Sequence, residues 1–193
     1  MDPLLDRTLA GFLDALGDPE PVPGGGSAAA VAAAMAAGLL AMTARASTAS
    51  WPEAAGVAAQ AEALRDRVSP FADLTAAAYA DVLELLAEPG AEPVERRDFR
   101  LGAALAHAAE VPLQIAEAAC DVAELGLLVV ERGDPERRAD AAAAVVLADA
   151  AARVGAHLVG VNLSAEPDDE RVARARRLVE ATTDAARRAL APS

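Results

Sequence analysis

Pro23-Gly24-Gly25-Gly26-Ser27, followed by Ala28-Ala29-Ala30-Val31-Ala32-Ala33-Ala34-Met35-Ala36-Ala37-Gly38-Leu39-Leu40-Ala41-Met42, is a glycine-rich turn that opens an alanine-rich run. Alanine is the strongest helix former and loses no side-chain entropy on folding. The run stays apolar nearly all round until Thr43 and Arg45, which marks a central, buried helix. Ser27 suits the N-cap, so the spacing predicts a helix from Ser27 to about Thr48. The rest of the chain has to supply helices that cover it.

Working outward, punctuation separates six helical segments. Pro3 to Leu16 is amphipathic, with Leu4, Leu5, Leu9, Phe12, Leu13 and Leu16 on one side. The alternating prolines of Gly17-Asp18-Pro19-Glu20-Pro21-Val22-Pro23 force an extended path. After the break at Ser50-Trp51-Pro52, Glu53 to about Ala87 is a long run expected to kink near Pro70 and to stop at Pro89-Gly90. Arg96 to Glu131 is expected to kink near Pro112. Glu136 to about Val154 ends at Gly155, and a charged last helix runs from about Glu166 to Leu190. No strand pattern and no internal repeat is present. The expectation is one domain over residues 1–193, an all-α, multihelical up-and-down bundle with long kinked helices around the alanine-rich one.

Composition narrows the function. The chain is 54% hydrophobic but only 3% aromatic, so the core must rest on small side chains and close helix contacts. A net charge of −13 opposes a nucleic-acid partner, because phosphate contacts need a basic surface, and it opposes an anionic membrane equally. All 17 basic residues are arginine. The single cysteine, Cys120, allows no internal disulfide. The N-terminal residues lack the basic and apolar regions of a signal peptide, and residues 27–42 are too short and alanine-rich for a membrane span, so a cytoplasmic protein is expected.

Three consecutive glycines are costly unless the backbone needs a positive φ or something must approach closely. At a helix start they leave a row of free N–H groups that can bind a carboxylate, a phosphate or a polar ring edge. Neither the Gly-Lys-Ser/Thr ending of a phosphate-binding loop nor a preceding strand is present, so both nucleotide readings fail. The alternative is a tight turn that lets the buried helix pack against its neighbours.

Phe12-Leu13, Pro21-Val22-Pro23-Gly24-Gly25-Gly26-Ser27-Ala28-Ala29-Ala30 and Met42-Thr43-Ala44-Arg45 resemble the start of the cyclodeaminase/cyclohydrolase family of folate enzymes. The similarity continues in order through Ala78-Tyr79-Ala80-Asp81-Val82, Val111-Pro112-Leu113, Ala139-Asp140-Ala141, Gly155-Ala156 and Val161-Asn162-Leu163. The resemblance implies a helical bundle that forms a homodimer and holds a reduced folate near the glycine turn. Gly24, Gly25, Gly26, Ser27 and Arg45 would bind the ligand, and Asp140 and Thr75 would be the catalytic candidates. The implied reaction is closure of 5-formiminotetrahydrofolate to the 5,10-methenyl form with loss of ammonia, or hydrolysis of that methenyl form. The implied substrate is a tetrahydrofolate derivative, with no metal expected. The chain departs from the family pattern at Thr75, where an acid is usual, at Ala139, where a serine often precedes the acid, and at Leu158, where an asparagine is expected.

At about 100° per residue, Asp140 shares a face with Ala144, Leu147, Ala148 and Ala151, while Asp149 and Arg153 lie opposite. An acid on an apolar stripe needs a partner or a function. Thr75 faces inward; Asp73 lines up with Asp66, Asp81 and Glu84 on a face expected to be solvated. His107 belongs to a long charged stripe with Arg100, Glu110, Gln114 and Glu117, and His157 stands alone, so no metal-ligand spacing exists. Arg96 and Arg97 at a helix start oppose the dipole and would suit an anionic glutamate tail, although Glu95 and Asp98 can pair with them locally. Two other functions compete with the folate enzyme: a divergent homologue that binds a folate or another small anion with altered or lost catalysis, and a purely structural helical protein.

Overall fold

The computed structural model describes residues 3–87 and 93–192; the expected stop at Pro89-Gly90 lies outside them. A single 3₁₀ turn at Leu4–Asp6 precedes helices α1 (Leu9–Gly17), α2 (Gly25–Ala46), α3 (Ala54–Val68), α4 (Phe71–Ala87), α5 (Val94–Ala108) and α6 (Glu110–Arg132). A second 3₁₀ turn at Pro135–Arg137 leads into α7 (Arg138–Asn162), and α8 (Glu170–Ala189) closes the chain. The described residues hold no strand, and 82% of the structure is helical.

The main helices alternate in direction. Ser47, just past α2, accepts at Oγ from the N–H of Asp134 near the start of α7 (2.8 Å), whereas Gly25 at the start of α2 faces Val154 late in α7. These two helices are therefore antiparallel. Arg45 pairs with Glu62 and Gly38 faces Arg65, which sets α3 antiparallel to α2. Glu117 with Arg174, and Glu131 with Arg188, run α6 and α8 in parallel. Asp149 of α7 accepts from the Thr182 hydroxyl of α8 at 2.8 Å and from Nε of Arg153 at 2.9 Å, locking that pair.

At both expected kinks the chain is interrupted for only one or two residues, which divides each run into two helices. α3 stops at Val68, where the Ser69 N–H and hydroxyl both reach the Arg65 carbonyl, and α4 restarts with Leu74 N–H donating to Pro70 O. Ala109 ends α5 and caps α6. Pro112 then falls in the first turn of α6, where a missing N–H is tolerated, so the proline restarts the helix rather than bending it. Gly155 does not end α7. It sits inside the helix because a Cβ there would lie 2.6 Å from the backbone oxygen of Pro112 on α6.

The core is built from alanine. Ala36, Ala37, Ala44, Ala54, Ala61, Ala123, Ala144 and Ala148 are almost wholly buried around Leu40 and Val145. α2 and the run from Pro135 to Asn162 are long and apolar enough to cross a membrane by length and composition, but 56% of α2's apolar window is buried inside the bundle, which is the behaviour of a core helix. At the far end of α2, Trp51 is 6% exposed and its indole N–H has no partner. Cys120 is buried, and desolvation with Glu124 and Asp121 beside it pushes its thiol up to about 11, so it carries little thiolate at neutral pH. Leu4 N–H donates to Asp73 Oδ1 at 3.0 Å, so Asp73, expected on a solvated face, pins the N-terminal turn onto α4.

Gly155→Ala should lower stability by about 1–3 kcal/mol, since a rigid backbone oxygen blocks the new methyl group. Gly56→Ala in α3 has no neighbour within 4 Å and should raise it by about 0.5–1 kcal/mol through helix propensity. Urea unfolding of both variants reads the two signs.

Candidate functional site

The glycine turn is set by where α2 begins. The helix starts at Gly25 with Gly24 as its N-cap, two residues earlier than expected, and Ala28 N–H makes the first bond back to Gly24 O at 3.1 Å. The N–H groups of Gly25, Gly26 and Ser27 therefore have no intrahelical acceptor. Ser27 is fully buried inside the helix, and its hydroxyl donates to the Ala72 carbonyl of α4 at 2.6 Å instead of capping. No described glycine has a positive φ, so the three glycines answer to space and not to backbone strain.

Space is uneven along the three. At Gly26 a Cβ would lie 2.4 Å from Thr75 Oγ1 and 2.9 Å from its Cγ2, so this glycine lets α4 press against the start of α2. At Gly25 the nearest atom is Val154 Cγ1 at 4.0 Å, so its surface is open. It faces a cavity of about 250 Å³. The segment Pro21–Val22, next to the cis Val22–Pro23 bond, forms one wall. Thr75, Ala76 and Tyr79 of α4 form the second, and Leu158, Val161 and Asn162 of α7 the third. Thr75 is 8% exposed, and its hydroxyl has no hydrogen-bond partner among the described residues.

Asn162 was not singled out from the sequence. Because Pro112 carries no N–H, the carbonyl four residues back, at Ala108, is left without its helical donor. Asn162 Nδ2 donates to that oxygen at 2.9 Å, which fixes the amide in the cavity wall. Position 158, where the family resemblance expects asparagine, carries Leu158 in the same wall. Asn162 is one helical turn further along the same face. An amide four residues from the expected place, with a proline four residues after the carbonyl it binds, is the signal that locates it.

The other candidates lie elsewhere. Arg45 is at the opposite end of α2, about 30 Å along the axis at 1.5 Å per residue, and pairs with Glu62. Asp140 stands in the first turn of α7, half-buried and without a hydrogen bond or ion pair among the described residues. It is about 27 Å from Leu158 along that helix. Thr75 and Asp140 are therefore not neighbours within one chain. Arg96 and Arg97 do not border the cavity. His107 is exposed and meets Glu110 at 3.4 Å. No group of three His, Cys, Asp or Glu among the described residues is placed to hold a metal ion.

Free N–H groups, a lone hydroxyl and an anchored amide around a small cavity at a helix start describe an all-helical protein suited to holding a polar small molecule. The chain belongs to the formiminotransferase-cyclodeaminase family, whose model matches residues 8–181. Its fold is similar to that of the formiminotetrahydrofolate cyclodeaminase of Thermotoga maritima, with a TM-score of 0.82, 22% identity, and coverage of 96% of this chain and 95% of that one. No curated protein matches the chain in sequence.

The contact between Gly26 and Thr75 makes a testable cycle. Gly26→Ala should cost about 1–3 kcal/mol. Adding Thr75→Ala should recover most of that loss, because the crowding atoms leave with it. Thermal unfolding of the two single variants and the double variant checks the expected non-additivity.

Proposed function

We propose that the chain binds a reduced folate at the glycine turn and acts on its one-carbon unit, closing 5-formiminotetrahydrofolate to the 5,10-methenyl form with loss of ammonia or hydrolysing that methenyl form. The observation that carries this reading is the meeting of three unpaired N–H groups, the unpaired Thr75 hydroxyl and the anchored Asn162 amide in a member of this family. The N–H row would donate to a carbonyl oxygen of the ring. Thr75 and the free oxygen of Asn162 can accept from ring N–H groups. In the closure, the second folate nitrogen attacks the formimino carbon and gives up its own proton, and the former imino nitrogen, once protonated, leaves as ammonia as its bond to that carbon breaks. That step needs a proton donor at nitrogen and stabilisation of a cationic carbon.

Among the described residues, the cavity walls hold no carboxylate, histidine or arginine, and Tyr79 is their one titratable side chain. The missing acid is Asp140 supplied by a second copy. Met35 is 52% and Met42 41% exposed on α2, and Val146 and Val154 lie exposed on the neighbouring α7, leaving an apolar face between the two ends of the bundle. A homodimer would cover it. A two-fold axis normal to α2 near Met35 turns that helix end for end, which brings the Asp140 and Arg45 end of one chain towards the glycine turn of the other. The reading calls for no metal and, with a net charge of −13, for neither nucleic acid nor an anionic membrane; it places the protein in the cytoplasm.

A second reading rests on the uncharged cavity itself: a homologue that binds folate but has lost turnover. Absorbance of the methenyl chromophore, followed with each substrate, separates the two. Appearance or loss of the band at a catalytic rate is expected, and folate binding without turnover would favour the second reading.

Light scattering should give a dimer at micromolar concentration; a monomer would remove the shared site. Asp140→Asn should cost roughly 10²-fold or more in turnover with little change in melting temperature. If the site is shared, mixing Asp140→Asn chains with Gly25→Val chains should restore about a quarter of wild-type activity, since random pairing leaves one intact site in half the dimers. No recovery on mixing would place Asp140 outside the other chain's site.

A further inference from the structure

Val161 borders two cavities. One is the cavity at the glycine turn; the other is a more open depression of about 460 Å³ between the end of α7 and the first turns of α8. Among the described residues, His157, Ser164 and Arg176 supply the polar side chains of this second depression. None of the three makes a side-chain hydrogen bond or ion pair among the described residues. No carboxylate among the described residues borders it, although the chain carries 30 acidic residues against 17 basic ones. An unpaired guanidinium, an imidazole and a hydroxyl around an acid-free depression suit a carboxylate.

The floor of the depression gives an independent argument. Gly160 sits inside α7, where glycine is unfavourable relative to alanine. Gly26 and Gly155 are explained by close helix contacts, but at Gly160 a Cβ would meet nothing within 4 Å. Gly56 and Gly102 are equally open, yet neither borders either of these two cavities. A bare helix surface beneath Arg176 leaves room for a ligand to lie against the backbone.

We propose that His157, Ser164 and Arg176, over the floor at Gly160, form a carboxylate subsite for the glutamyl tail of the folate whose ring occupies the glycine turn, with Val161 as the shared wall under the linking part. This rests on the folate reading above. Arg176 would be a specificity residue: it grips the tail and takes no part in the chemistry.

Calorimetry tests it with two probes, 5-formyltetrahydrofolate, which carries the tail, and 6-methyltetrahydropterin, which lacks it. Arg176→Gln should weaken the folate roughly fivefold, the scale of a partly exposed ion pair, and leave the pterin unchanged. Gly160→Leu should weaken the folate by filling the floor while keeping the melting temperature at or above wild type. Arg177→Gln, one residue away and outside the depression, should change neither probe. Unaltered folate binding in both Arg176→Gln and Gly160→Leu, or equal weakening of both probes, would overturn the subsite and leave the folate reading standing. Failure of the wild-type protein to bind either probe would overturn the folate reading, and the subsite with it.

Discussion

Everything in this structure depends on how closely alanine lets two helices approach. A buried methyl group contributes about 0.8 kcal/mol, so a core of alanines must gain its stability from number and proximity. α2 meets this by packing against α3, α4, α6 and α7 with Ala36, Ala37 and Ala44 fully covered. Close packing of this kind leaves little free volume along a helix. The cavity at the glycine turn lies where a helix starts, with its N–H groups unspent. The core and the cavity thus follow from the same small residues.

The central helix was legible because its signal is local: composition, the glycine punctuation and the polar residues at its end. The breaks at Ser69-Pro70 and at Ala109 were read as kinks because a proline inside a periodic pattern looks alike from either side, and only the surrounding contacts decide whether the helix resumes in line. Gly155 looked like a stop because a glycine that ends a helix and one that admits a neighbouring backbone have the same sequence. The oxygen of Pro112, 43 positions away, decides between them.

The candidate site was legible in part. The turn and Thr75 lie together, while Arg45 and Asp140 lie at the other end of the bundle, because motifs adjacent on paper can sit at opposite ends of one 22-residue helix. Ser27 looked like a cap, yet its hydroxyl is spent on α4. Asn162 belongs to a stretch that carries the family resemblance, but its role depends on a carbonyl freed by a proline in another helix, a relation with no sequence period.

Trp51, the chain's single tryptophan, lies in the apolar end of the bundle, its indole N–H unsolvated and unpaired. That makes it a built-in optical probe. Its emission should be blue-shifted in the folded protein and move to the red on unfolding. It is separated from the glycine turn by the length of α2, about 33 Å, so a ligand bound there within the same chain leaves its surroundings unchanged. The intrinsic fluorescence of this protein therefore reports the integrity of the alanine core.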